Sequence, residues 1–160
     1  MTLDGFDVAI LNALQKDGAI TNAALSEQVN LSASQCSRRR AALEAGGLIA
    51  GYCARLDAEK LGYGLRAIVR VNLRSHGGTN ESSFASFIAR RPEVRAAFSV
   101  SGDADYILDL RTPDLESFAR FIHEHLLPEA LVAQVRSEIV LKTLKDAPGV
   151  DLLQLPVQPR

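Results

Sequence analysis

Apolar positions along residues 4–61 recur with a helical period. Phe6, Ile10, Leu11 and Leu14 fall at the i, i+4, i+5, i+8 spacing of one helix face, with Asp4 placed as cap and Lys16-Asp17-Gly18 as stop. A second short helix is predicted from Thr21 as N-cap to about Asn30, with Ala24, Leu25 and Val29 inward. A third runs from Ser32, another N-cap residue, to Ala45 before Gly46-Gly47. So short an interval between the second and third helices is the spacing of a helix-turn-helix. Residues 48–56 are apolar and partly alternating, which predicts a small wing strand or hairpin. Residues 57–61 read as a helical turn and Gly62-Tyr63-Gly64 as a hinge.

From Leu65 the period becomes two. Leu65, Ala67, Val69, Val71 and Leu73 share one strand face, while Arg66, Ile68, Arg70 and Arg74 share the other. A helix from about Asn80 buries Phe84, Phe87 and Ile88 and ends before Pro92. Val94, Ala96, Phe98 and Val100 then alternate, the turn Gly102-Asp103-Ala104-Asp105 intervenes, and Tyr106, Leu108 and Leu110 alternate again. Thr112-Pro113-Asp114 opens another helix with an inward stripe of Leu115, Phe118, Ala119, Ile122 and Leu126, and Pro128 stops it. Residues 132–144 read as a last strand. The order strand, helix, strand, strand, helix, strand is the split βαβ, ferredoxin-like plan.

The expected fold is therefore α+β: a winged helix-turn-helix over residues 1–62, with a linker from about residue 50, followed by a ferredoxin-like βαββαβ domain over 63–145. A tail over 146–160 holds three prolines and no periodicity, and is expected to be extended or mobile unless a partner chain holds it.

Composition narrows the function classes. The chain has 160 residues, 47% apolar and 23% charged, enough for a packed core and too apolar for a largely disordered chain. No apolar run approaches the roughly 18–20 residues of a membrane span, and no secretory signal is readable at Met1-Thr2-Leu3-Asp4, so a cytoplasmic location is expected. Cys36 and Cys53 have no partner at metal-ligand spacing and are expected to be reduced thiols. Net charge is −1, and residues 1–62 carry 6 basic against 7 acidic side chains. Taken alone, that balance speaks against nucleic acid.

Placement reverses the inference. At about 100° per residue the third helix turns Cys36 and Leu43 inward and Ser34, Arg38 and Ala41 outward, with Gln35 and Ser37 on the flanks. Three arginines, Arg38, Arg39 and Arg40, and no acid lie between Asn30 and Ala42. Small side chains let a helix sit deep in the major groove, and Arg and Gln can bond guanine and adenine edges in bidentate fashion. An Arg-rich solvated face is the plainer reading of three adjacent arginines, and their position on the exposed second helix of a helix-turn-helix outweighs it. Candidate DNA-binding residues are Thr21, Ser32, Ser34, Gln35, Ser37, Arg38, Arg39 and Arg40, with double-stranded DNA as partner.

Gly102-Asp103-Ala104-Asp105 is first of all good turn chemistry. It can also do more: its backbone N–H groups suit a carboxylate, and Asp103 or Asp105 suits an ammonium, the two ends of a zwitterion. Four strands with helices on one face leave the other face uncovered, so two such sheets stacking face to face predict a homodimer.

Leu3-Asp4-Gly5-Phe6-Asp7, Ile10-Leu11, Leu14-Gln15-Lys16-Asp17-Gly18, Leu31-Ser32, Arg39, Leu43-Glu44, Gly47-Leu48-Ile49, Gly51-Tyr52 and Lys60-Leu61-Gly62 together resemble the N-terminal domain of the leucine-responsive regulator/AsnC family. Val100-Ser101-Gly102-Asp103-Ala104-Asp105-Tyr106 and Val140-Leu141-Lys142-Thr143-Leu144-Lys145 resemble that family's ligand-binding domain, so the likeness runs from residue 3 to about 145. It implies a transcription regulator whose assembly and DNA affinity respond to a small effector such as an amino acid. The effector would bind at Ser101, Gly102, Asp103, Ala104, Asp105 and Tyr106, with Ser137 and Glu138 as weaker candidates, where two dimers meet. It also implies dimers that associate into tetramers or octamers. Three positions depart from the pattern: Arg40 where an apolar residue is usual, Leu131 for glycine and Ser137 for threonine. The Arg40 stem can pack inward while its head reaches a phosphate.

Catalysis is not expected. His123 and His125 flank Glu124 on a helix and point about 200° apart; His76 is in a loop without a partner; no nucleophile has a readable base and no phosphate-binding glycine motif is present. No cofactor or metal is expected. Two alternatives remain at this stage. One is a tetrapyrrole decarboxylase of siroheme type with a similar two-domain plan, using Arg66, Arg70, Arg74 and the histidines. The other is a ligand-binding oligomer that lacks DNA binding.

Overall fold

A computed structural model describes residues 2–75, 77–147 and 149–152. The expectation for His76, and the one for the tail from residue 153 on, lie outside the described residues. The chain forms two compact units, one of residues 1–55 with 145–160 and one of residues 56–144. The helix-turn-helix is thus closed by the C-terminal segment, and the first unit ends earlier than residue 62.

Unit 1 contains α1 (Gly5–Lys16), α2 (Asn22–Val29) and α3 (Ala33–Ala45). The caps anticipated from the sequence are in place. Asp4 and Ser32 each form a reciprocal capping box, with Asp7 and Gln35, and the Thr21 hydroxyl accepts from the amide of Ala24. Asn30 closes α2 in the left-handed region at φ 54°, so the chain turns into α3 within a few residues. Ile10, Leu14, Ile20, Leu25, Val29, Cys36 and Leu43 make the core, with Leu3, Leu11 and Ile49 packed on it. Cys36 is a buried free thiol and Cys53 an exposed one.

The wing is absent: among the described residues, 48–56 form no strand. A strand needs an edge to pair with, and unit 1 is otherwise helical, so the run stays irregular and mostly exposed, with contacts to the helices at Ile49 and Tyr52. Ile49 joins the core, and Tyr52 lies so close over the end of α1 that a Cβ on Gly18 would stand 3.2 Å from its ring.

Unit 2 is one antiparallel sheet in the order β2-β3-β1-β4, from β1 (Leu65–Leu73), β2 (Val94–Ser99), β3 (Tyr106–Thr112) and β4 (Val132–Ile139). α4 (Gly78–Ala89) and α5 (Leu115–Arg120), the latter continued by a π-helical stretch at Phe121–Leu126, supply the helices of the ferredoxin-like plan. Alternation along β1 holds as predicted: Ala67, Val69, Val71 and Leu73 are buried beside Leu108, Leu110, Phe84, Phe118 and Phe121. Register places Ile68 opposite Asp109 and Glu138, and Ile107 opposite Arg70 and Phe98. These side chains share the face away from the core, and Phe98 is exposed there.

Two expectations in this unit are corrected. Leu115 is 58% exposed, whereas Phe121 is buried. Side chains of a helix tilt toward its N-terminus, so a residue at the first position overhangs the helix end. The wider π turn inserts a residue, which brings Phe121 inward beside Ile122. The last strand stops at Ile139, opposite Ala67, with one further bond from the Val140 amide to the Arg66 carbonyl, instead of running on to residue 144. Leu141 and Leu144 beyond it are 95% and 88% exposed. No described helix is long and apolar enough to cross a membrane.

Candidate DNA-reading face and effector loop

The three arginines of α3 have three different environments. Arg39 points back to the start of α1, where its guanidinium binds Asp7 at 2.6 Å and Asp4 at 2.9 Å and lies 5.5 Å from the centre of the Phe6 ring. Burial works against the Arg39 charge, yet the bonds and attraction of Asp7 and Asp4 outweigh it and raise its pKa above the ordinary value. Burial likewise pushes the Asp4 carboxyl up. The Asp7 amide, the Arg39 guanidinium and the Phe6 amide together bring it below the usual carboxylate range. Both acids at the start of α1 are therefore bonded by one α3 side chain.

Arg40 is half-buried and its head does not reach outward. It stacks 4.6 Å from the Tyr52 ring, donates to the Tyr52 hydroxyl at 2.8 Å and to Glu44 at 3.3 Å, and reaches the Ile20 carbonyl. Tyr52 in turn donates to Glu44 at 2.7 Å, and burial, then that bond, raises its pKa. The expected reach toward a phosphate is replaced by a cation–π and carboxylate cluster that pins residues 48–52 to α3.

Arg38 is exposed and has no ion pair among the described residues. It lies on the outward side with Ser34 and Ser37, both exposed. The remaining candidates are committed to local structure: Thr21 caps α2, the Ser32 hydroxyl and the Gln35 side chain close the α3 capping box, and Ser34 sits 3.0 Å from Ser32 through their hydroxyls. The outward face is thus small and polar, with one uncommitted cation. Its neighbouring acids, Asp4, Asp7 and Glu44, are paired with Arg39 and Arg40.

At the β2–β3 turn, the loop is tied to β1 at several points. Asp105 accepts from the Leu73 amide at 2.8 Å and donates its own amide to the Val71 carbonyl, while Asn72 donates to the Asp103 carbonyl at 2.7 Å. Ala104 is buried and Tyr106 packs 4.8 Å from the Phe84 ring. Burial, then the charges of Glu81 and Asp105, raise the Tyr106 pKa. Gly102 has φ +138°, a conformation that L side chains rarely adopt, so the turn requires glycine there. Ser101, Gly102 and Asp103 remain exposed. Asp105 fastens the loop; Asp103 is the carboxylate presented to solvent.

Ser137 and Glu138 lie on β4, across β1 from the strand that follows this loop. Ser137 pairs with Val69, two residues along β1 from Val71, which pairs with Tyr106 and whose carbonyl accepts the Asp105 amide, an offset of about 7 Å at strand rise. Glu138 pairs with Arg70 at 3.3 Å. Asn72 went unnoticed in the sequence, although an amide side chain near the end of an apolar strand is the signal that marks it.

Two of the three arginines invoked for a tetrapyrrole are engaged elsewhere. Arg66 holds Asp109 through bonds of 2.9 and 2.6 Å, and Arg70 holds Glu138. His125 lies edge-on to Phe121. Among the described residues no group of three or more His, Cys, Asp or Glu is arranged to hold a metal ion.

Two family models match the chain: the AsnC-type helix-turn-helix domain over residues 3–44 and the Lrp/AsnC ligand binding domain over residues 66–150. The leucine-responsive regulatory protein of Rhizobium meliloti is 41% identical over 150 residues, covering 94% of this chain and 96% of that protein. Its Escherichia coli K12 counterpart is 35% identical over 145 residues, covering 91% and 88%. Among solved structures, a Neisseria meningitidis transcriptional regulator in complex with L-methionine superposes with a TM-score of 0.92 at 37% identity, over 95% of this chain and 98% of that one. An AsnC family regulator from Agrobacterium tumefaciens gives 0.87 at 28% identity, over 94% and 97%. With a helix-turn-helix followed by an effector-binding domain, each matched in place, the chain belongs to the Lrp/AsnC family of transcriptional regulators.

Proposed function

We propose that this regulator reads DNA with the outward face of α3 and that an amino acid bound at the β2–β3 loop alters its DNA affinity or assembly. The observation that carries the DNA assignment is the division of labour among the arginines. Arg39 and Arg40 are tied up with the acids beside α3, and Arg38 is left to bond a base edge from a face whose other members, Ser34 and Ser37, are small enough for close approach. Thr21, Ser32 and Gln35 act through their caps, which set the angle at which α3 is presented.

For the effector, the support is a braced loop with exposed Ser101, Gly102 and Asp103, together with the L-methionine complex of the Neisseria relative. Loop amides receive the carboxylate and Asp103 receives the ammonium. Ser137 and Glu138, across β1 on β4, are the weaker candidates. Two chains associate through the open sheet face around Phe98, Ile68 and Ile107, and further pairing of dimers gives tetramers or octamers. A role without catalysis follows the relatives, which are regulators.

A thermal-shift screen across the common amino acids, followed by DNA affinity and assembly size for each hit, tests this reading. A stabilising amino acid whose effect is lost in Asp103→Asn supports the loop assignment. A response of wild-type size in that variant refutes it.

A further inference from the structure

The C-terminal segment behaves unlike the exposed stretch before it. Leu141 and Leu144 are open to solvent, yet Leu152 is only 7% exposed. It borders an apolar groove of about 430 Å³ that it shares with Leu3, Leu11, Leu14, Ile49 and Tyr52 of unit 1. Gln15 on α1 grips the backbone beside it with both ends of its amide. Its Nε2 donates to the Val150 carbonyl at 3.1 Å, and its Oε1 accepts the Val150 amide at 3.2 Å, the pairing a neighbouring strand would offer. Gly149 has φ +85°, and a Cβ there would collide with Gln15 Oε1. Three features of the segment, a glycine, a backbone edge and a leucine, thus each fit a feature of unit 1.

We propose that the groove between α1 and residues 48–52 is a docking site for the chain's own segment Gly149-Val150-Asp151-Leu152, and that the docked segment is a second tether of the effector-binding unit to the DNA-reading unit. The chain leaves unit 1 after Arg55 and has rejoined it by Lys145, and an Arg55–Asp146 ion pair at 3.5 Å joins the outgoing and returning segments. The DNA-reading unit is therefore held at both ends of the effector-binding unit instead of at one. Arg40 acquires a purpose here that its departure from an apolar residue did not explain: through Tyr52 and Glu44 it holds the far wall of the groove. The segment docks on α1 and residues 48–52, not on the outward face of α3, so a tether leaves DNA binding open where an autoinhibitory strap would close it.

Amide exchange of the full chain read at single residues, with Gln15→Ala and Gly149→Val beside wild type, tests the tether. In wild type the Val150 amide exchanges at least about tenfold more slowly than in a free peptide. Both variants bring it to the free rate and speed exchange over 11–15 and 48–52, α3 amides stay protected, and affinity for a mixed-sequence duplex stays within about twofold. Free-peptide exchange at Val150 in wild type, or unchanged exchange in both variants, overturns the docking. A rise in duplex affinity of about tenfold or more in the variants overturns the tether in favour of an inhibitory strap.

Discussion

Replacing Arg39 by alanine removes a side chain that bridges α3 to the start of α1. Its bonds to Asp7 and Asp4 are 2.6 and 2.9 Å, and the Asp7 side chain is only 8% exposed. Stripping one partner from a buried ion pair costs about 3–5 kcal/mol because the other charge stays behind unpaired. Asp4 is nearer solvent, where a pair contributes about 0.2–1 kcal/mol, and Asp7 keeps its bond from the Asp4 amide at 3.1 Å. The lower end of the range therefore applies: a loss of about 3 kcal/mol, roughly two powers of ten in the folding equilibrium. Urea unfolding followed at the NMR amide signals of Ile10 and Leu43 reads unit 1, and Val69 reads unit 2, so the two need not unfold together. The unit 1 midpoint falls and that of unit 2 does not, while Arg38→Ala stays within about 0.5 kcal/mol of wild type. An Arg39→Ala loss no larger than that of Arg38→Ala would refute the assignment of Arg39 to the scaffold.

Further outcomes follow from the same contacts. The Asp4 pKa lies below the usual range in the fold, so its contribution is complete above the unfolded value of about 3.9. That contribution is lost as pH falls through the lower folded value. Acid unfolding of unit 1 monitored by circular dichroism should be shallower in Asp4→Asn, and an unchanged profile would contradict the linkage. Asp105→Asn, which weakens the bond to the Leu73 amide, should speed amide exchange at Leu73 and blunt the effector response, whereas Asp103→Asn should blunt the response and leave Leu73 protected. Phe98→Asp places a charge on the open sheet face and should shift the assembly toward monomer in sedimentation; an unaltered species would move the dimer contact off that face.

The elements that the sequence revealed most clearly are those with a strong period and a cap. Asp4, Thr21 and Ser32 mark helix starts because their side chains bond amides two or three residues on, a local event written in local sequence. The alternation of β1 likewise survives because one face must be buried. What was hidden depends on long-range geometry. Residues 48–56 have strand composition but no edge to pair with, and Leu115 satisfies a helical stripe but overhangs the helix end. Three adjacent arginines look alike in sequence, and only the folded unit distinguishes one bound to Asp4 and Asp7, one stacked on Tyr52 and one exposed. Net charge misled for the same reason: a count over the whole unit does not show that Asp4, Asp7 and Glu44, the acids nearest α3, are bonded by Arg39 and Arg40 while Arg38 stays exposed. The Gln15–Val150 contact spans 135 residues, and no local pattern announces it.

Sequence selection from a random duplex library, performed in parallel with wild type, Arg38→Ala and Arg39→Ala under conditions where all three are folded, tests the central claim most directly. Wild type should enrich a roughly palindromic motif with half-sites about one helical turn apart. Arg38→Ala should lose preference at one position in each half-site, at a cost of about 1–3 kcal/mol, while Arg39→Ala enriches the wild-type motif. The same motif at the same strength from Arg38→Ala, or a relaxed motif from Arg39→Ala, would contradict the account.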